Sequence, residues 1–163
     1  MNEEFSRFDL RILEEVQKDC SMSTTDLATR VGLSQSPCWR RLQRLKDEGF
    51  IKRQVAIIDR SKLGPNLYIF AFLKMTTLTE KQRAEFMRTI ELTPEILECH
   101  TVFGEMDIIL KVLARSLEWY QKFIFETILK LPGVQDIQST VTLVELKSTT
   151  ELPLADWPAK LVD

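Results

Sequence analysis

Apolar residues recur along this chain with two different periods, and the change falls near residue 66. Before it, they return every three or four positions. Leu10, Leu13 and Val16 follow a Ser6/Asp9 pair spaced like a capping box, which predicts a helix over 7–18. Ser23 stands three residues before Asp26, and Leu27, Ala28 and Val31 line one face of a short second helix that Gly32 closes. Ser34 opens a third helix, with Pro37 tolerated in its first turn, and Gly49 ends it after about Glu48. Two short helices joined by a tight glycine-containing turn, with another helix before them, form the helix-turn-helix pattern. The run 50–58 then reads as a strand or wing, and 59–66, with Gly64-Pro65, as a connection.

Beyond residue 66 the period shortens to two. Tyr68, Phe70 and Phe72 fall in one phase of a strand over 67–75, and Leu67, Ile69 and Leu73 in the other. Thr79 caps a helix running to about Leu92. Strands over 96–103 and 106–113 flank Gly104-Glu105, Ser116 caps a second helix, and Leu131-Pro132-Gly133 precedes a last strand over 134–146. The order β-α-β-β-α-β predicts a ferredoxin-like antiparallel sheet with both helices on one face. The first strand is apolar in both phases, so the uncovered face calls for sheet-to-sheet packing with a second chain, and hence a homodimer. The fold class is α+β: a winged helix-turn-helix domain over 1–60, a linker over 61–66, a ferredoxin-like effector-binding and oligomerisation domain over 67–154, and an extension over 155–163.

Composition narrows the function. Of 163 residues, 44% are hydrophobic and 28% charged, as in a folded globular protein. No apolar run reaches the roughly 18 residues of a membrane span and no secretory signal opens the chain, so a cytoplasmic protein without membrane association is expected. Three cysteines without a C-x-x-C pair and a single histidine argue against structural zinc, and no cofactor is expected. Cys99 and His100 are neighbours on a strand and diverge, so they do not form a nucleophile and base, and no other pairing supports an enzyme. The net charge is −2, yet the span 34–62 holds eight basic residues against three acidic ones, a local positive stretch suited to an anionic partner.

That stretch contains the third helix. At 100° per residue, Cys38, Leu42 and Leu45 share an inward face, and Ser36, Arg40, Gln43 and Arg44 lie opposite. With Ser34 and Gln35 at the helix start, these donors suit base edges and phosphates of double-stranded DNA, and Arg41 and Lys46 suit phosphates from the flanks. Asp47, also outward, would repel DNA and is expected to sit clear of it.

The motifs Leu27-Ala28 through Gly32-Leu33-Ser34, Ser36-Pro37-Cys38-x-Arg40-Arg41-Leu42 and Gly49-x-Ile51 resemble the helix-turn-helix of the Lrp/AsnC, or feast/famine, transcriptional regulators. Glu98-Cys99-His100-x-Val102-x-Gly104-Glu105-x-Asp107 and Leu131-Pro132-Gly133-Val134 resemble their effector-binding domain, and together the match spans about residues 9–154. The resemblance implies a sequence-specific regulator whose dimers, often assembled into octamers, bind DNA and respond to a small amino acid held between subunits. By position it assigns that effector to Gly104, Glu105, Met106, Asp107, Gln138, Ser139 and Thr140. An amino acid needs acceptors for its ammonium group and donors for its carboxylate, which these residue types supply. Trp39 stands where relatives carry a smaller apolar residue; at the edge of the inward face, it is expected to pack rather than to read DNA. The competing reading is an effector-binding oligomer that does not bind DNA.

Overall fold

The structure, a computed structural model, describes residues 5–156 and divides into two compact units. The first comprises the chain up to Ile57 together with the segment from Lys147; the second is Ile58–Leu146.

In the first unit, helices α1 (Arg7–Lys18), α2 (Thr24–Val31) and α3 (Gln35–Asp47) follow the predicted periodicity closely. Their starts are set by local chemistry: Ser6 donates through its amide and hydroxyl to Asp9 Oδ2, and the Ser23 hydroxyl accepts from the Asp26 amide. Gly32 ends α2 at φ +75°, a left-handed conformation where a side chain would be strained. Ile12, Leu27, Val31, Cys38 and Leu45 form the fully buried core of the three helices. The run 50–58 is not the strand its composition predicts. Ile51 packs against the three-helix core, and the rest is exposed and makes no ladder, because an extended segment needs a neighbouring strand and no described residue supplies one. The segment after Lys147, expected with the second domain, belongs with the first. The Gln17 side chain donates to the Leu152 carbonyl and accepts its amide, each at 2.8 Å, and Leu154 is buried. Residues 157–163 of the expected extension lie outside the described residues.

The second unit opens with a single 3₁₀ turn, Arg60–Leu63, within the expected connection. It then runs β1 (Leu67–Met75), α4 (Glu80–Leu92), β2 (Ile96–Thr101), β3 (Ile108–Ala114), α5 (Leu117–Glu126) and β4 (Val134–Val141). The four strands form one antiparallel sheet in the order β2-β3-β1-β4, as a ferredoxin-like βαββαβ chain requires. Ile69, Ala71 and Leu73 of β1 and Leu110 and Val112 of β3 face α4 and α5, meeting Phe86, Ile90, Phe123 and Ile124. Tyr68, Phe70 and Phe72 occupy the opposite, half-buried face. The strands around Gly104 are shorter than predicted, since residues 102–107 leave the ladder as a loop, and β4 stops at Val141, just before Thr142 donates its amide and hydroxyl to the Tyr68 carbonyl of β1.

Gly133 precedes β4 at φ +79°, and a Cβ there would strike the Leu78 side chain and lie 3.0 Å from Thr76 Oγ1. Gly133→Ala is expected to destabilise this unit by about 2 kcal/mol, combining left-handed strain with displacement of Leu78. A lowered urea midpoint at unchanged slope would register it; an unaltered midpoint would show that the loop yields freely.

Candidate functional sites

The first site is the outer face of α3. Ser34 sits at its N-cap position and makes no side-chain cap hydrogen bond. Ser34, Gln35, Ser36 and Arg40 are exposed, and Gln43 is half-buried. Arg40 forms no ion pair with any described residue, so its guanidinium is available to a partner. Asp47 is exposed at the far end, as expected.

Two of the predicted donors do not project outward. Arg44 Nη2 lies 2.8 Å from Asp9 Oδ2, and Arg41 Nη1 lies 3.1 Å from the same oxygen and 3.2 Å from Oδ1. Asp9 is completely buried, while the two arginine side chains are 17% and 20% exposed. Arg44 also approaches Glu48 at 3.9 Å. The expectation that Arg44 turns to solvent is therefore corrected. A buried carboxylate on α1 draws the arginine arms across the helix, because an unpaired charge in that position would be far costlier than bending two flexible side chains. Asp9 is the residue that helical spacing missed: it was legible as a cap, not as an ion-pair centre. Trp39 packs only in part, since 52% of it is exposed.

The second site lies at one end of the sheet, where the loop 102–107 meets the end of β1. Asp107 Oδ2 accepts the Met75 amide at 2.8 Å, and Oδ1 lies 3.2 Å from Lys74 Nζ. The Met75 hydrogen bond, and after it Lys74, hold the Asp107 carboxyl below its ordinary range. Lys74 Nζ also donates to the Glu105 carbonyl at 2.7 Å. Gly104 and Glu105 are exposed and Met106 half-buried. The Glu105 carboxylate makes no ion pair with a described residue, whereas both Asp107 oxygens are engaged.

On β4, Gln138 and Thr140 are opposite Phe72 and Phe70 and share their open face. Ser139 points the other way, and its hydroxyl is 2.8 Å from the Tyr120 hydroxyl of α5. The three consecutive residues expected to act together are thus split by the pleat: Gln138 and Thr140 can serve a site on the open face, and Ser139 braces a helix. Lys74 was not among the predicted residues, although its position, two after Phe72, already put it in the outward phase. Among the described residues no cluster of His, Cys, Asp and Glu could hold a metal ion, and no helix is long and apolar enough to cross a membrane.

A helix-turn-helix unit followed by a ferredoxin-like sheet with a polar loop at one end is the architecture of a DNA-binding domain joined to a sensor domain. Family comparison agrees for both parts. Residues 5–52 match the winged helix-turn-helix DNA-binding model, and residues 69–152 match the Lrp/AsnC ligand binding domain. The chain belongs to the Lrp/AsnC family of transcriptional regulators, which are not enzymes. It is 35% identical over 149 residues to the leucine-responsive regulatory proteins of Escherichia coli K12 and Salmonella typhimurium, covering 91% of each chain. Among solved structures it is similar to a Neisseria meningitidis transcriptional regulator in complex with L-methionine, with TM-score 0.86, 32% identity, and coverage of 92% of this chain and 97% of that one. An AsnC family transcriptional regulator from Agrobacterium tumefaciens gives TM-score 0.85 at 32% identity, with coverage of 91% and 97%.

Proposed function

We propose that this chain is a cytoplasmic, sequence-specific DNA-binding regulator of amino-acid metabolism, modulated by a small amino acid bound between subunits. The observation that carries the DNA half is the exposure of Gln35, Ser36 and Arg40 in the first turns of α3, which the buried three-helix core holds in place. Such residues near the start of a recognition helix are placed for base edges and phosphates. Arg41 and Arg44 serve the same face indirectly, by fixing α3 to α1 through Asp9.

The effector half rests on the loop 102–107. Glu105 offers a carboxylate to an amino acid's ammonium group, Lys74 and Gln138 offer donors to its carboxylate, and Gly104 admits the ligand close to the backbone. Asp107 holds this arrangement in place rather than binding the ligand itself, and Met106 and Thr140 border it. That the Neisseria relative was solved with L-methionine supports an amino acid as the class of ligand. The aromatic row on the open sheet face supports a homodimer, which assembles further into an octamer and presents two recognition helices to two half-sites. Linkage then requires DNA and effector to alter each other's affinity by the same factor. The inward turn of Arg41 and Arg44 favours the second reading, an effector-binding oligomer without DNA affinity; exposed Arg40 weighs against it.

A thermal-shift screen of the free amino acids tests the sensor. A ligand at 100 times its Kd adds about 2.7 kcal/mol of stability, which raises the melting temperature by several degrees. Glu105→Gln is expected to abolish that rise while leaving the unliganded melt unchanged. A flat response across all amino acids would remove the effector half of the proposal.

A further inference from the structure

The outer face of α3 carries one large apolar group among polar neighbours. Ser36 and Arg40, one turn apart, form its outward row, and Gln35, Trp39 and Gln43, also at helical spacing, run along the flank beside it. The inward stripe is already complete: Cys38 and Leu45 are fully buried, and Leu42 packs against them. The indole is therefore not needed to close the core. At 52% exposure it also forgoes much of the burial that makes tryptophan stabilising.

We propose that Trp39 is a specificity-determining residue that reads thymine in the major groove. This rests on the DNA-binding reading given above. Among the groove edges of the four bases, the C5-methyl of thymine is the apolar feature, and it lies beside the O4 acceptor. An indole presents a broad apolar surface and a single N–H donor, with no acceptor. It complements thymine on both counts. It is mismatched to cytosine, whose N4 amino donor would lose its hydration and meet no acceptor. The uncharged ring gains nothing from a phosphate. Trp39 thus supplies an apolar term that Ser36, Gln35 and Arg40, all polar, cannot supply.

The test uses the full chain and the duplex it selects from a random library. Each thymine of that duplex is replaced in turn by uracil, which deletes the methyl and nothing else. Wild-type affinity is expected to fall about fourfold for each contacted methyl, at one or two positions. Trp39→Ala should bind the unmodified duplex roughly tenfold more weakly and ignore the uracil replacement at those same positions, with its salt slope unchanged. Trp39→Phe should keep part of the methyl sensitivity. Because the decisive change is made in the DNA, misfolding of a variant cannot imitate the wild-type result. Wild-type indifference to every uracil, or equal methyl sensitivity in Trp39→Ala, overturns the inference and leaves the DNA-binding reading intact. Failure to select any duplex removes both.

Discussion

Asp9→Asn is expected to lower the stability of the first unit by about 3 kcal/mol. The carboxylate is wholly buried and accepts from the Ser6 amide at 2.7 Å, the Ser6 hydroxyl at 2.9 Å and Arg41 Nη1 at 3.1 Å, with Arg44 Nη2 ion-paired to it at 2.8 Å. An amide of the same shape keeps one acceptor oxygen but presents an NH₂ group where donors already converge. It also leaves two guanidinium groups without their shared counter-charge. Removing one member of a buried ion pair costs about 3–5 kcal/mol, and the lower end applies because both arginines retain some access to water. Urea unfolding measures the loss directly. Partial recovery in Asp9→Leu combined with Arg41→Met and Arg44→Met would show that the penalty comes from orphaned charge rather than lost packing. A loss below about 1 kcal/mol would mean that water solvates the site far better than its burial implies.

The helical starts were legible because they are local. Ser23, Thr79 and Ser116 each accept the amide three residues on, and the Asp9 carboxylate accepts the amide of Ser6 three residues back, so spacing alone locates these starts. The alternation of aromatic and aliphatic residues along β1 separated its two phases, and the structure shows the aliphatic one turned to the helices. The fate of Arg44 was not, because a helical wheel fixes the direction of Cα–Cβ and not where a long arm ends. Its partner lies 35 residues earlier on another helix, and no local pattern links the two. The place of the tail around Leu152 was hidden for the same reason, since one anchor, Gln17 of α1, lies far from it in sequence and the other, the burial of Leu154, follows no local pattern. At the sheet-end site, the loop's position followed from the strand order. The separation of Ser139 from Gln138 and Thr140 follows from the pleat and was available in the sequence, but the family resemblance grouped the three by position. Lys74 was available too, in the same outward phase as Phe72.

The arginines of α3 are expected to separate by function. Arg40→Ala should reduce affinity for a selected duplex about 10- to 100-fold while leaving the unfolding midpoint in place, since the side chain is exposed and pairs with no described residue. If the guanidinium grips a phosphate, the loss will be uniform across sequences and the salt slope will shrink by about one; if it grips guanine, discrimination at one position will relax instead. Arg44→Ala should do the opposite. It removes one of the two charges that neutralise Asp9, so the melt should fall first, and affinity should fall only as far as α3 loosens. Arg44→Lys should not restore the wild type, because a single ammonium cannot face Asp9 and Glu48 at once as Nη2 and Nε do. Full stability in Arg44→Ala together with the larger loss of DNA affinity would invert these assignments and place Arg44, not Arg40, at the DNA.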